Sequence, residues 1–298
     1  MLFNKLSFNS VGSISVLQFK TANNSKIDIK TINDLLERKE VEISEVSTSG
    51  NVNTIIVDNM SPHFLFMMDG DILMGAKQNR ILNTSVLVSP NSKINIPVSC
   101  VERGRWSNGS RDFQRSDYTV SPNFRARKSS SVNESFKRSK TYDTNQAFIW
   151  NTVDNEMHNH KMHSPTSDYE TVYRNLENEF KDKLTPFKEA NGAALFYGNR
   201  FLNADIFGTE RLYLHYFDRI LNAASVYLHD AVKYAPLSEQ YAINKLYKNM
   251  YYAEESIVSK DKAAGEGTEK RFENDYTSGF ELKYDDSLIH YTLLSKRG

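Results

Sequence analysis

The stretch from Met68 to Trp106 carries a concentration of side chains able to do chemistry. Lys77, Gln78, Asn79, Arg80 and Asn83 follow Gly75, and Cys100, Glu102, Arg105 and Trp106 close the next apolar run. A strand that only fills a core has no need of so many. Guanidinium groups bind phosphate in a two-pronged fork, amides read polar edges, and indole offers a flat stacking face. Lys77, Gln78, Asn79, Arg80, Arg105 and Trp106 therefore form a candidate ligand-binding set for a planar, anionic molecule. The Gly75–Arg80 segment lacks the spacing and the following helix of a P-loop. Its glycine would still let backbone amides approach a phosphate while Arg80 forks it. Strand alternation would put Lys77 and Asn79 on one face, Gln78 and Arg80 on the other. The structural alternative is a polar hairpin end with Arg80 in an ion pair.

Catalytic candidates are fewer. In a strand, Cys100 and Glu102 share a face, which permits a nucleophile beside a general acid/base. No histidine is fixed next to Cys100 by the sequence, and a buried, inert cysteine is the plainer expectation. Glu102 with Arg105 reads more naturally as a positioning ion pair. His158, His160 and His163 do not share a helical face, so a solvated helix end is expected and no metal site is predicted. His290, among Leu288, Ile289 and Tyr291, reads as a buried or site histidine, and Asp205 as a turn-stabilising carboxylate or a ligand-hydroxyl acceptor. The sequence names no cofactor.

Composition bounds these readings. The 298 residues are 39% hydrophobic and 25% charged with zero formal net charge. Such a balance gives no general case for nucleic acid or an anionic membrane as partner. A single cysteine excludes a disulfide framework and a multi-thiolate zinc site, and fits a reducing cytoplasm. No apolar run reaches a membrane span, and the first residues lack the pattern of a secretory signal.

The elements that must position these residues are read from periodicity. Strands are expected at 12–20, 41–46, 52–57, 63–68, 72–74, 81–88 and 93–101, with a hairpin turn at Asp69-Gly70 and a short helix at 31–39 capped by Thr31 or Asn33. That spacing predicts a barrel- or sandwich-like sheet. From Val101 to Lys140 there are ten Lys/Arg against four Asp/Glu and nine serines, so 107–142 is expected to be a basic, Ser/Arg-rich flexible loop, a solvated segment or a flap over an anion. Helices follow at 145–160, 167–184 with a Ser167/Glu170 capping box, 209–234 capped by Thr209, and 238–256. Hairpins are expected around Gly198-Asn199 and Asp285-Asp286. Together these predict one α+β domain over 1–298, strand-rich in its N-terminal half, helical in its middle, with a C-terminal hairpin returning to the sheet. The tyrosines of the last two helices (Tyr213, Tyr216, Tyr227; Tyr247, Tyr251, Tyr252) are candidates for a homo-oligomer interface.

Several stretches, namely Gly75-Ala-Lys-Gln-Asn-Arg-Ile-Leu-Asn83, Ile96-Pro-Val-Ser-Cys-Val-Glu-Arg-Gly-Arg-Trp106, Gln146 with Trp150, and Gly192 through Phe207, resemble a family of bacterial, archaeal and phage domains. That family is named for its genomic neighbours, ADP-ribosylglycohydrolase (ARG) and rhodanese-phosphatase-superfamily proteins. Arg271-Phe272 and Ile289-His290 match more weakly. The resemblance implies NAD- or ADP-ribose-linked metabolism or conflict systems. Asn203 departs from it, standing where a glycine or small residue is expected. The functional expectation is binding, in the manner of a sponge, of an ADP-ribose or NAD derivative or a cyclic immune signal, as in phage counter-defence. The alternatives are a hydrolase of NAD- or ADP-ribose-linked bonds using Glu102, and a scaffold without a small ligand.

Overall fold

The computed structural model describes residues 2–22, 25–106, 112–174, 176, 180, 183–229, 234, 235 and 237–297. The chain opens with strands β1 (Phe3–Val11), β2 (Ile14–Thr21) and β3 (Ile29–Thr31), then helix α1 (Ile32–Leu36). Strands β4 (Val41–Glu45), β5 (Thr54–Asn59), β6 (Phe64–Met67), β7 (Asp71–Gly75), β8 (Arg80–Leu82), β9 (Val86–Val88), β10 (Ser92–Cys100) and β11 (Phe113–Thr119) follow. Helices α2 (Pro122–Ser139), α3 (Gln146–Asn159) and α4 (Thr171–Arg174) come next. After them run β12 (Gly192–Tyr197), β13 (Arg200–Phe207), α5 (Glu210–Ala223) and α6 (Glu239–Glu254). Strands β14 (Ile257–Lys262), β15 (Thr268–Glu273), β16 (Thr277–Tyr284) and β17 (Ser287–Ser295) end the chain.

The class is α+β, as the periodicity predicts. Eight antiparallel strands form one sheet in the order β1-β2-β12-β13-β17-β16-β15-β14, so the C-terminal hairpin does return to the sheet that the chain began. Its turn, Asp285-Asp286, has both residues at positive φ (47° and 58°), the conformation that matches strand twist across a two-residue link. The N-terminal half builds two further sheets, β11-β7-β8-β10-β5-β4 and β3-β6-β9, which share an apolar core of residues such as Ile55, Leu65, Val86 and Val98. Thr31 caps α1 with a full capping box closed by Asp34.

Four expectations are corrected. The strands flanking Asp69-Gly70 are not a hairpin, because β6 and β7 pair in different sheets. The predicted strand at 81–88 is two strands, broken at Asn83-Thr84-Ser85, where the chain passes between those sheets. Tyr213, Tyr216 and Tyr227 are core residues, whereas Tyr247, Tyr251 and Tyr252 are exposed. At 167–184 only α4 forms among the described residues; Ser167 sits at φ 53° and caps no helix, and 175, 177–179, 181 and 182 lie outside the description.

The basic stretch gives the largest difference. Residues 107–111 lie outside the description, but 113–119 pair with β7 as β11, and 122–139 form α2. Ser121 caps that helix through its hydroxyl and Pro122 takes the first turn, where it needs no N–H. Arg127, Lys137, Arg138 and Lys140 are exposed, as a composition count expects, but two of the cations are buried. Arg125 is fully buried and bridges Asp69 and Asp205, each through its Nη2 at 2.7 Å. Lys128 donates to Asp69 (3.2 Å) and to the Asn83 carbonyl (2.7 Å). Burial alone would raise the Asp69 pKa; Arg125 and Lys128 outweigh it and hold the group at about 2.

Alternation in the eight-stranded sheet sorts these groups. Ala204, Ile206, Tyr291 and Leu293 face α6 in an apolar core with Leu246 and Met250. Asp205, His290 and Thr292 lie on the opposite side with Arg125.

His215 on α5 is held down to about 4 by burial, with the neighbouring cations Arg115 and Arg219 adding to it and Asp71 and Asp34 opposing. Its ordinary value is 6.5, so between those limits the unfolded chain binds more protons and stability must fall as pH drops through that window. Asp69 behaves alike from 3.8 down to about 2, its folded pKa being the lower one. Urea melts across pH 7 to 3 should show both losses, and His215→Gln should flatten the upper one alone. An unchanged slope between pH 6.5 and 4 in that variant refutes the assignment.

Candidate functional site

Gly75 ends β7 with φ at 107°, and Ala76 follows at φ 42°. A Cβ at residue 75 would sit 2.9 Å from the Asp112 carbonyl of the paired strand, so only glycine fits. Two consecutive residues in left-handed territory persist only when the surroundings over-determine them. Here Arg105 does so. It donates from Nη1 to the Ala76 carbonyl (2.7 Å) and from Nη2 to the Gly75 carbonyl (3.1 Å) and Asn79 Oδ1 (3.1 Å). Its Nε and Nη2 also grip Glu102 at 2.8 and 2.7 Å. That hydrogen-bonded carboxylate raises the Arg105 pKa.

Glu102 is held from other directions too. It accepts the Asn79 N–H (3.1 Å) and the Thr166 hydroxyl (2.9 Å). The segment bearing Thr166 docks through backbone pairing: Gly104 N–H meets the Thr166 carbonyl at 2.8 Å, Tyr169 N–H meets Val101, and Glu102 opposes Asp168 in a bridge. Asn79 then donates from its amide to Asp168 (2.9 Å) and accepts the Gly75 N–H (3.0 Å). These groups wall an open pocket of about 710 Å³, whose other polar walls come from Gln114, His163, Ser164 and Thr171. Two carboxylates, one guanidinium, amides and hydroxyls converge there, a set suited to hydrogen-bonding a polyhydroxylated ring.

The predicted ligand residues separate into three places. Asn79 and Arg105 line the pocket, with Glu102. Residues 76–79 are a turn rather than a strand, so alternation fails: Lys77 and Arg80 lie together, 5.4 and 5.8 Å from the Trp106 ring. Arg80 is wholly buried, spends Nη1 on Gln78 (2.9 Å) and lies 3.7 Å from Glu45, which is the ion-pair alternative; burial lowers its pKa. Gln78 is buried as its partner, and Trp106 is 47% exposed. His290 belongs elsewhere: its ring nitrogens meet Ser85 (2.9 Å) and Asp205 (3.2 Å), and it stacks on Phe207. Asn203, the residue departing from the family pattern, supports that same Asp205 at 2.7 Å.

Cys100 is fully buried, its backbone clamped on both sides by the Gln146 amide at 2.9 Å, and burial raises its thiol pKa. Such a group is a poor nucleophile. Sequence reasoning missed Asp168, Thr166 and Ser164, and it set His163 aside with the helix end. Asp168 stood inside an apparent helix-capping pattern, and nothing local says that the segment docks on Glu102. Among the described residues no group of three or more His, Cys, Asp or Glu side chains is placed to hold a metal ion.

The structure is an α+β fold with an open pocket walled by Asn79, Glu102, Arg105 and Asp168. The model of the ARG and Rhodanese-Phosphatase-superfamily-associated Protein domain, ARPP-1, matches residues 5–294, and the chain belongs to that family. No curated protein and no solved structure matches it. Among the described residues no helix is long and apolar enough to cross a membrane.

Two outcomes test this geometry. Arg105→Ala should cost about 3 kcal/mol by stranding Glu102 and the strained turn, and Arg105→Lys should not restore it, because an ammonium cannot span these acceptors. A lysine variant that melts with the wild type would rule out the clamp. Cys100 should resist a thiol reagent in the folded protein and react once unfolded; a fast native reaction contradicts its burial.

Proposed function

We propose that this protein binds a ribose-bearing nucleotide derivative, of the ADP-ribose or NAD type, and holds it without breaking a bond. The observation that carries the reading is the convergence of Asn79, Glu102, Arg105 and Asp168 on one open pocket. Sugar hydroxyls would meet the Asp168 carboxylate and the Ser164 and Thr171 hydroxyls of the pocket, and the base would stack on the exposed Trp106 ring. Glu102 accepts hydrogen bonds from Asn79, Arg105 and Thr166, which favours recognition over proton transfer. The family's name, which joins it to ADP-ribosylglycohydrolase, supports the ligand class. In a conflict between phage and host, such a protein would act by sequestering a signal.

The pairing of two carboxylates on one pocket supports a second reading, hydrolysis of a glycosidic bond with Glu102 or Asp168 as acid/base.

Native mass spectrometry of the purified protein, then heat release of whatever travels with it, separates the two. Recovery of intact ADP-ribose or NAD after incubation is expected, and cleaved product would establish the hydrolase. Trp106→Ala should weaken binding about tenfold, the worth of one stacked base, with the melting temperature unchanged. Unaltered affinity in that variant removes Trp106 from the site.

A further inference from the structure

A second cavity, of about 1020 Å³, lies between α6 and the ends of strands β13, β16 and β17, lined by none of the pocket residues described above. One wall is a helical stripe. Tyr241, Lys245, Lys248 and Tyr252 recur at spacings of four, three and four along α6, which puts them on one face. The opposite stripe, Ala242, Leu246, Met250 and Ala253, is buried on the sheet, so the helix is held and its polar face is presented. The facing wall brings Arg200 from the start of β13, Tyr276 from the turn before β16, and Arg297 beyond β17.

Two features set this cleft apart from an ordinary solvated surface. The carboxylates at the two ends of α6 are already paired outside the cleft, Glu239 with Lys5 and Glu254 with Lys270. Arg200, Lys245, Lys248 and Arg297 have no carboxylate within 4 Å among the described residues, although Glu255 and Asp275 stand on the same rim. Four unneutralised cations facing one cavity repel one another and favour an anion between them. The second feature is aromatic. Tyr252 and Tyr276 stay 48% and 55% exposed while lining the cleft. Arg297 covers one face of Tyr276 at 4.2 Å, and Lys248 lies 5.8 Å from Tyr252. Tyrosine faces backed by cations make a platform for a flat ring that carries negative charge.

The turn that presents Tyr276 is fixed in advance. Asn274 Oδ1 accepts the backbone N–H groups of Tyr276 (2.9 Å) and Thr277 (2.8 Å), while its Nδ2 donates to Ser256 (3.1 Å) at the end of α6. The two walls are thereby tied, and little ordering is left for binding to supply.

We propose that this cleft is a separate binding site for a nucleoside polyphosphate, with Lys245, Lys248 and Arg200 on the phosphates and Tyr252 and Tyr276 on the base. It stands independently of the Glu102 pocket.

The test is equilibrium dialysis with ADP, adenosine and inorganic pyrophosphate on the full chain carrying Trp106→Ala, which weakens the other site. ADP should bind more tightly than either fragment, and affinity should fall as salt rises. Lys245→Ala with Lys248→Ala should cost at least tenfold, and Tyr276→Ala several-fold, both with unchanged melting temperature because these side chains are not buried. Absence of ADP binding at millimolar concentration overturns the proposal. So does equal affinity for pyrophosphate and ADP, or a double variant whose oligomeric mass changes while its ADP affinity does not. In the Trp106 background, loss of all ADP binding would overturn the second site, whereas binding that survives there and is lost on adding Lys245→Ala and Lys248→Ala would support it.

Discussion

The arrangement depends on a buried guanidinium. Arg125 lies in α2 and is bound by Asp69, ahead of β7, and by Asp205, inside β13, with Thr292 of β17 at 3.1 Å. One side chain thus joins the helix, the eight-stranded sheet and the N-terminal sheets. Lys128 one turn on adds a second positive charge against Asp69, and burial lowers its pKa to about 8. Charges this deep are expensive to desolvate, and replacing them with apolar groups would often give an equally stable core. What they contribute is direction. A hydrophobic contact tolerates sliding, but a fork between two carboxylates fixes the helix in place along and around its axis.

That fixation reaches the pocket through the chain. Asp69 precedes β7, and β7 ends at Gly75, where the backbone turns through two left-handed residues. The strand before α2 is β11, and it pairs with the end of β7 (Phe113 opposite Gly75). Anchoring α2 therefore sets β11, which blocks any side chain at residue 75 and receives the Ala76 N–H on the Asp112 carbonyl. Arg105 closes the turn from the other side. The strained segment is pinned by two ion-pair systems, one remote and one adjacent, which is how a polar turn keeps a single shape at the mouth of a pocket.

The sequence made some of this legible and hid the rest for identifiable reasons. Alternation and turn chemistry act over a few residues, so β12, β13, β16, β17, the Asp285-Asp286 turn, the Thr209 cap and, as one of two candidates, the Thr31 cap were readable. The concentration of polar groups between Gly75 and Trp106 marked the right region. Its internal geometry was not readable, because Arg80 and Arg105 look alike in sequence while one is buried against Glu45 and the other spans a pocket wall. The basic run misled for the same cause: Arg125 and Lys128 find partners more than fifty residues away, and a composition count treats them as solvated. Asp168 joined Glu102 through a bridge between distant segments, which no local pattern encodes.

Charge is distributed unequally between the two cavities, and that inequality constrains what each can do. In the Glu102 pocket the guanidinium is already saturated by a carboxylate, an amide and two carbonyls, so little positive charge remains to draw a free anion there. Such a pocket offers hydrogen-bonding edges rather than unbalanced charge. The cleft beside α6 has the opposite character, with cations unneutralised and aromatic faces open. On the proposal above, it would draw an anion from a distance. A ligand made of a sugar joined to phosphates presents both kinds of chemistry, and a chain with zero net charge can attract it only where the balance is locally broken.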